Sequence, residues 1–195
     1  MNTNNLLLTA ICILLSSLSA ISQEGFTVKD FKMTVSGTST LHDWESEATE
    51  VAANGNLELA GVQLTGIDKL KVTVPAKRIV SPKGRIMDNK TYDALKADKY
   101  PNITFVLNKA SVKGSKIQAT GQLTIAGKSQ TVSLNATSKV DSAGNITFSG
   151  SKAIKMTDYN MEPPTALMGT IKTGDDVTIR YELTLKPSGD ISGTH

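Results

Sequence analysis

"NITFVLNKASV" (Asn102–Val112), "SKIQATGQLTIAG" (Ser115–Gly127) and "SQTVSLNATSKV" (Ser129–Val140) are three successive segments in which apolar and polar residues alternate. Alternation with a period of two is typical of a β-strand that buries one face. The connections between the segments are short, with a tight turn at Gly127–Lys128, so neighbouring strands would run antiparallel. This part of the chain therefore predicts a meander of three long, half-buried strands.

The same pattern extends through most of the chain, which predicts eight or nine strands in all. The other strand-like segments are Phe26–Val35, Thr40–Ala52, Asn56–Ala60, Lys69–Val80, Gly144–Met156 and Asp175–Lys186. A change of phase at Lys29–Asp30 predicts a β-bulge, and Asn54–Gly55 is a turn signal. Strands of about ten to twelve residues favour a closed barrel over a sandwich. We therefore expect an all-β, antiparallel, single-domain protein.

One segment, "MDNKTYDAL" (Met87–Leu95), predicts a short helix near residues 88–95. Asp88 is a suitable N-cap residue, and Tyr92 and Leu95 share one helical face. Pro101 then forces an extended chain into the next strand. A short helix between two barrel strands either caps the mouth of the barrel or plugs its core, and the sequence is compatible with both.

The composition indicates one exported globular domain. The chain has 195 residues, of which 39% are hydrophobic and 20% charged, and its net charge of +3 is too small to indicate nucleic-acid binding. Residues 1–22 predict a cleavable signal peptide, residues 23–187 a barrel domain, and residues 188–195 a loose tail. The single cysteine, Cys12, lies in the leader. A mature domain without thiols fits a bacterial periplasm, so we expect a periplasmic or secreted protein with no stable membrane insertion after cleavage.

The sequence contains no recognisable catalytic machinery. Its two histidines are His42 and His195, and the nucleophile-elbow, P-loop and dinucleotide-binding motifs are absent. His42 has the carboxylates Asp43 and Glu45 beside it, but these alternate across a strand and do not form a metal site. We therefore expect no enzyme activity, no metal and no cofactor.

The succession "LKVTVPAKRIVSPKGRIMDNKTYDALKADKYPNITFVL", followed by "ATGQLTIAGKSQTVSLNA", resembles the YceI-like family of exported lipid-binding proteins. The matching motifs are Tyr100-Pro101 before Ile103-Thr104-Phe105, and a Gly121-x-Leu123-Thr124-Ile125-x-Gly127 hairpin. The resemblance implies an eight-stranded, up-and-down, lipocalin-like barrel that holds an isoprenoid lipid or a quinone-like apolar ligand. A homodimer is left open.

The candidate ligand contacts are apolar strand residues that alternate in phase. They are Phe105, Leu107, Leu123, Leu134, Phe148 and Ile179, with Tyr92 and Leu95 added from the helix. Small residues lie among them, namely Ala119, Gly121, Ala136 and Gly150, which is compatible both with a cavity and with close packing. The alternative is thus a structural or interaction module with a solid core. Met156, Met161 and Met168 are candidates for an adaptable mouth.

A basic run precedes the predicted helix and suggests how a charged ligand end would be held. Lys77, Arg78, Lys83 and Arg85 lie just before Asp88, and a helix amino terminus favours anions. The hypothesis is that Lys83 and Arg85 bind a phosphate or ring oxygens at the rim of the barrel. The alternative is that these residues are solvated surface charges.

Overall fold

A computed structural model describes residues 22–188, which form eleven strands and one α-helix. The signal peptide predicted over residues 1–22 and the tail predicted over 188–195 lie outside the described residues, apart from Ser22 and Ser188. The strands are β1 (Ser22–Ser39), β2 (Trp44–Ala48), β3 (Ala52–Ala60), β4 (Gln63–Pro75), β5 (Ile79–Val80), β6 (Asn102–Lys113), β7 (Lys116–Ile125), β8 (Lys128–Val140), β9 (Ile146–Lys155), β10 (Thr165–Ala166) and β11 (Ile171–Pro187). The helix α1 spans Arg85–Ala94, and two 3-10 turns span Ala76–Arg78 and Thr157–Tyr159.

Eight of the described strands close into an antiparallel barrel, as the sequence predicts. Their order around the barrel is β1, β3, β4, β6, β7, β8, β9 and β11, and β11 pairs with β1 to close the ring. Consecutive barrel strands are neighbours, which is an up-and-down topology. The bulge expected at Lys29–Asp30 is confirmed, because the β1–β11 register shifts between Val28 and Asp30.

The three remaining described strands, β2, β5 and β10, extend the wall at one end of the barrel. β2 pairs with the last part of β1, β5 pairs with β2, and β10 pairs with the start of β11. Because α1 contacts β5, the helix lies at this end too, and we call it the helix end. The prediction of one long strand over residues 40–52 is wrong. In that segment the structure has the short strand β2 at Trp44–Ala48, and Ala52 is the first residue of β3.

The turn expected at Asn54–Gly55 is also wrong. Both residues lie inside β3, where Gly55 pairs with Phe26 on one side and Leu70 on the other. A Cβ on Gly55 would lie 2.5 Å from the carbonyl oxygen of Lys69, so the glycine serves a close approach of two strands. The real turn is at Gly61–Val62, where Gly61 has a φ of +60°.

The helix begins three residues before the predicted boundary, at Arg85. Its N-cap is Gly84, with a φ of +82° and no capping side chain, so the N-cap role expected for Asp88 is wrong. Asp88 lies in the first turn, and its carboxylate accepts the backbone N–H of Ser81 at 2.7 Å. That bond fixes the chain leading into the helix. The helix ends at Ala94, and a turn over residues 95–99 connects it to Tyr100-Pro101.

Candidate functional site

At the helix end the barrel contains an apolar cavity of about 300 Å³. The strand residues in its wall include Met33, Val35, Trp44, Ser46, Val74, Ile79, Ile103, Ile125, Ile154, Val177 and Ile179. These side chains lie on the inward-facing positions nearest the helix end. Nonpolar walls of this kind bind the hydrocarbon part of a ligand by removing it from water.

The helix covers part of the cavity with one of its faces. Met87, Lys90, Thr91, Ala94 and Leu95 contribute to the wall. The helix is held by hydrogen bonds on both sides: Asp88 accepts from Ser81, and the Tyr92 hydroxyl donates to the carbonyl oxygen of Lys77 at 2.9 Å. The sequence left open whether the helix caps a mouth or plugs a core, and in the structure it roofs the cavity.

The segment between β9 and β11 forms the rest of the roof. Two lysines attach it to the helix region: Lys90 donates to the carbonyl oxygen of Thr165 at 2.9 Å, and Lys96 to that of Asn160 at 2.8 Å. Met156, Met161, Pro164, Thr165 and Ala166 of this segment line the cavity. Two of the three methionines proposed for the mouth therefore reach it, whereas Met168 is fully exposed and lies outside the wall.

The roof segment also fills a gap in the barrel. β8 and β9 pair only over Ala136–Val140 and Gly150–Ile146, so the two strands separate towards the helix end. Tyr159 is 1% exposed in this region, and Gln130 of β8 donates to the carbonyl oxygen of Asp158 at 2.8 Å. Burial, with a smaller contribution from Asp158, raises the pKa of Tyr159 to about 12. Tyr159 is thus a neutral packing residue that closes the wall between β8 and β9.

Of the residues nominated from the sequence, Leu95 and Ile179 lie in the cavity wall. Phe105, Leu107, Leu123, Leu134 and Phe148 lie outside the wall, at positions further from the helix end. The register shows this directly, because Phe105 pairs with Leu123 one inward position below Ile103 and Ile125. Their role as ligand contacts stays a prediction, and their position indicates packing.

The small residues among them make room for aromatic rings. A Cβ on Gly121 would lie 2.5 Å from the ring of Phe105, and one on Gly150 would lie 2.5 Å from the hydroxyl of Tyr181. Both glycines therefore accommodate a bulky inward side chain. At these positions the structure favours close packing, the second of the two interpretations that the sequence allowed.

The polar candidates lie outside the cavity wall. Tyr92 is half-buried, and its hydroxyl donates to the backbone carbonyl oxygen of Lys77. Lys83 and Arg85 are exposed at the start of the helix. The cation that does reach the wall is Lys90, one turn further along the helix. Rim recognition by Lys83 and Arg85 remains a prediction.

Sequence reasoning missed most of the wall because alternation indicates the inward face but not the depth. Met33, Val35, Val74, Ile103 and Val177 have the same inward phase as the nominated residues. For Val74, Ile103 and Val177 the sequence contained a stronger signal. These residues are close in sequence to the predicted helix or to the 159–174 segment, so they must lie at the same end of the barrel as those elements.

The edge of the cavity carries exposed apolar side chains. Leu41 both lines the cavity and is largely exposed, while Ile86, Leu167 and Met168 are exposed beside wall residues Met87 and Ala166. Leu167 and Met168 form the tight turn between β10 and β11, and their φ values are +48° and +54°.

No group of three or more His, Cys, Asp or Glu residues within residues 22–188 could hold a metal ion. The helix of this part of the chain is also too short and too polar to cross a membrane.

An up-and-down, eight-stranded barrel with an apolar cavity at one end defines the lipocalin-like class of β-barrels. Within that class the chain belongs to the YceI-like family, whose domain profile matches residues 17–185. No curated protein matches the chain significantly.

Solved structures agree with this assignment. BcnA of Burkholderia cenocepacia is 22% identical with a TM-score of 0.66, covering 79% of this chain and 95% of BcnA. A polyisoprenoid-binding domain from Saccharophagus degradans is 11% identical with a TM-score of 0.61, covering 85% and 99%. The YceI protein of Campylobacter jejuni is 26% identical with a TM-score of 0.56, covering 71% and 82%. These structures share the barrel fold with the chain.

Proposed function

We propose that the protein is an exported carrier that holds the apolar chain of an isoprenoid-type ligand in the helix-end cavity, without catalysing a reaction. The observation that carries the proposal is the enclosed apolar cavity roofed by α1 and the 156–173 segment. Supporting it, a similar barrel from Saccharophagus degradans is a polyisoprenoid-binding domain. The alternative of a solid-core module fits the far end of the barrel but not the helix end.

The cavity volume limits how much of a chain is enclosed. At about 30 Å³ for each water-sized group, 300 Å³ holds about ten such groups, or roughly two isoprene units. A longer isoprenoid would extend through the mouth. Each enclosed methylene contributes about 0.8 kcal/mol. We therefore expect the gain in affinity per added isoprene unit to decline beyond geraniol, so that farnesol and geranylgeraniol bind only slightly more tightly than geraniol.

Titration of geraniol, farnesol and geranylgeraniol into the purified domain tests the proposal. Replacing Ile154 with Trp fills part of the cavity and should weaken farnesol binding at least about tenfold. The matched control is Ala153→Trp, because Ala153 precedes it on β9 and is exposed. If wild type binds none of the three alcohols, or if both Trp variants bind like wild type, the cavity is not the ligand site.

Export is the part of the proposal that concerns residues 1–22. The apolar leader ending in "AIS" before Gln23 supports it. Amino-terminal sequencing of protein from the periplasmic or secreted fraction should begin at Gln23. Mass spectrometry of lipid extracted from the same material would identify the natural ligand.

A further inference from the structure

The Ser46 hydroxyl is an unpaired polar group in an otherwise apolar wall. Ser46 is 3% exposed and lies on β2 opposite Val35, with which it shares the inward face. Within residues 22–188 its Oγ has no hydrogen-bond partner. Every fully enclosed side-chain nitrogen or oxygen in this range does have a partner, so the Ser46 Oγ must border the open space of the cavity.

Among residues 22–188, Ser46 is the polar wall residue that is almost fully buried, and three of the more exposed ones are engaged by the protein. Ser39 donates its hydroxyl to the carbonyl oxygen of His42 at 2.7 Å, and Thr91 donates to that of Met87 at 3.2 Å. Lys90 donates to Thr165. These bonds belong to local turns and to the roof, and they leave Ser46 as a different case.

Ser46 also lies well inside the mouth. It pairs with Val35, whereas Ser39, at the mouth, is four residues further along β1. At about 3.3 Å per residue the hydroxyl is roughly 13 Å from the mouth. A ligand that fills the cavity beside Val35, Ile79 and Ile179 removes water from this hydroxyl, and leaving it without a hydrogen-bond partner is unfavourable.

We propose that Ser46 hydrogen-bonds an oxygen atom carried by the enclosed part of the ligand. The site then selects isoprenoid-type molecules with a carbonyl or hydroxyl group over hydrocarbons of the same shape, and the oxygen-bearing end lies inside. The inference rests on the proposed function, because it specifies the ligand class of the same cavity.

Two probes and two variants test the inference. Geranylacetone is an isoprenoid ketone, and its matched probe is the hydrocarbon of the same skeleton without the carbonyl oxygen. Ser46→Ala removes the hydroxyl with little change in volume. Ser151→Ala is the matched control, because Ser151 is exposed on β9. Losing one hydrogen bond should weaken ketone binding about five- to tenfold in Ser46→Ala and leave hydrocarbon binding unchanged.

Infrared spectroscopy adds a readout that packing alone does not move. The carbonyl band of bound geranylacetone should lie at lower frequency in wild type and Ser151→Ala than in Ser46→Ala. Equal changes for ketone and hydrocarbon, or an unshifted carbonyl band in wild type, would overturn the role of Ser46 while leaving the carrier function in place. If neither probe binds wild type, the carrier function fails and the inference fails with it.

Discussion

At the scale of single residues, glycines in the strands show how the far end of the barrel is packed. Gly121 and Gly150 each lie against an aromatic side chain, with 2.5 Å between a hypothetical Cβ and the nearest ring or hydroxyl atom. No sequence pattern separates a glycine that leaves a cavity from one that admits a ring, because the ring comes from a neighbouring strand.

Gly121→Val should therefore destabilise the fold by about 1–3 kcal/mol, since the new side chain competes with the Phe105 ring. Urea unfolding measures the loss, and Thr120→Val on the exposed face of β7 is the control. Adding Phe105→Ala to Gly121→Val should recover part of the loss, as a double-mutant cycle would show. Equal stabilities of the two Val variants would contradict the close contact.

Tyr159 gives a pH-dependent prediction. Its folded pKa of about 12 lies above the ordinary value of 10.0 because the ring is buried. Between these two values the unfolded chain loses the phenolic proton while the folded chain keeps it, so stability is retained below pH 10 and falls as the pH rises towards 12. Between pH 8 and pH 11.5 the free energy of unfolding of Tyr159→Phe should fall by about 1–3 kcal/mol less than that of wild type, measured by urea unfolding. Identical decreases in the two proteins would show that Tyr159 ionises as readily in the folded state as in the unfolded state.

At the scale of elements, the strands were the most predictable part of the molecule. β7, β8 and β9 alternate regularly and are joined by short turns, so local pattern and final pairing agree, while β6 changes phase at a bulge between Leu107 and Lys109. The pattern over residues 40–60 predicts the structure less well, because β2 is a short strand between β1 and β5 and Asn54–Gly55 lies inside β3. Register with distant strands decided both, and a single sequence does not contain that information.

The start of α1 carries a prediction at the scale of elements. Lys83 and Arg85 are exposed outside the cavity wall, and the orientation favoured by Ser46 places the polar end of the ligand inside. This inward orientation predicts that the affinity ratio of polyprenyl phosphate to polyprenol is the same in wild type and in Lys83→Ala/Arg85→Ala, whereas rim recognition predicts a smaller ratio in the variant.

Lys113→Ala/Lys139→Ala removes the same charge from exposed strand positions and is the control for the helix variant. A ratio that shrinks only in the helix variant, and shrinks further in wild type at high salt, would support rim recognition of an anion and oppose the inward orientation.

At the scale of the whole molecule, the barrel divides into a packed end and a hollow end. Phe26, Leu57, Ile146 and Leu185 are almost fully buried towards the far end, while the residues around the cavity include half-buried Val35, Ile154 and Ile179. The sequence predicted the inward face of both ends, but it could not place the boundary between them. That boundary depends on where the helix and the 156–173 segment fold back over the barrel.

This division predicts that stability and binding respond to different substitutions. Leu123→Ala and Phe148→Ala remove buried contacts at the packed end, and each should cost about 2–5 kcal/mol in urea unfolding. Under conditions where the variants remain folded, their affinity for farnesol should stay within about twofold of wild type.

Ile154 and Ile179 line the cavity, so replacing either with Ala removes fewer packing contacts. Ile154→Ala and Ile179→Ala should therefore cost less stability than the two substitutions at the packed end. They should weaken farnesol binding several-fold, since each removes apolar wall from the ligand. If Leu123→Ala weakened binding as strongly as Ile179→Ala, the ligand would reach the packed end, and the residues first nominated there would be contacts after all.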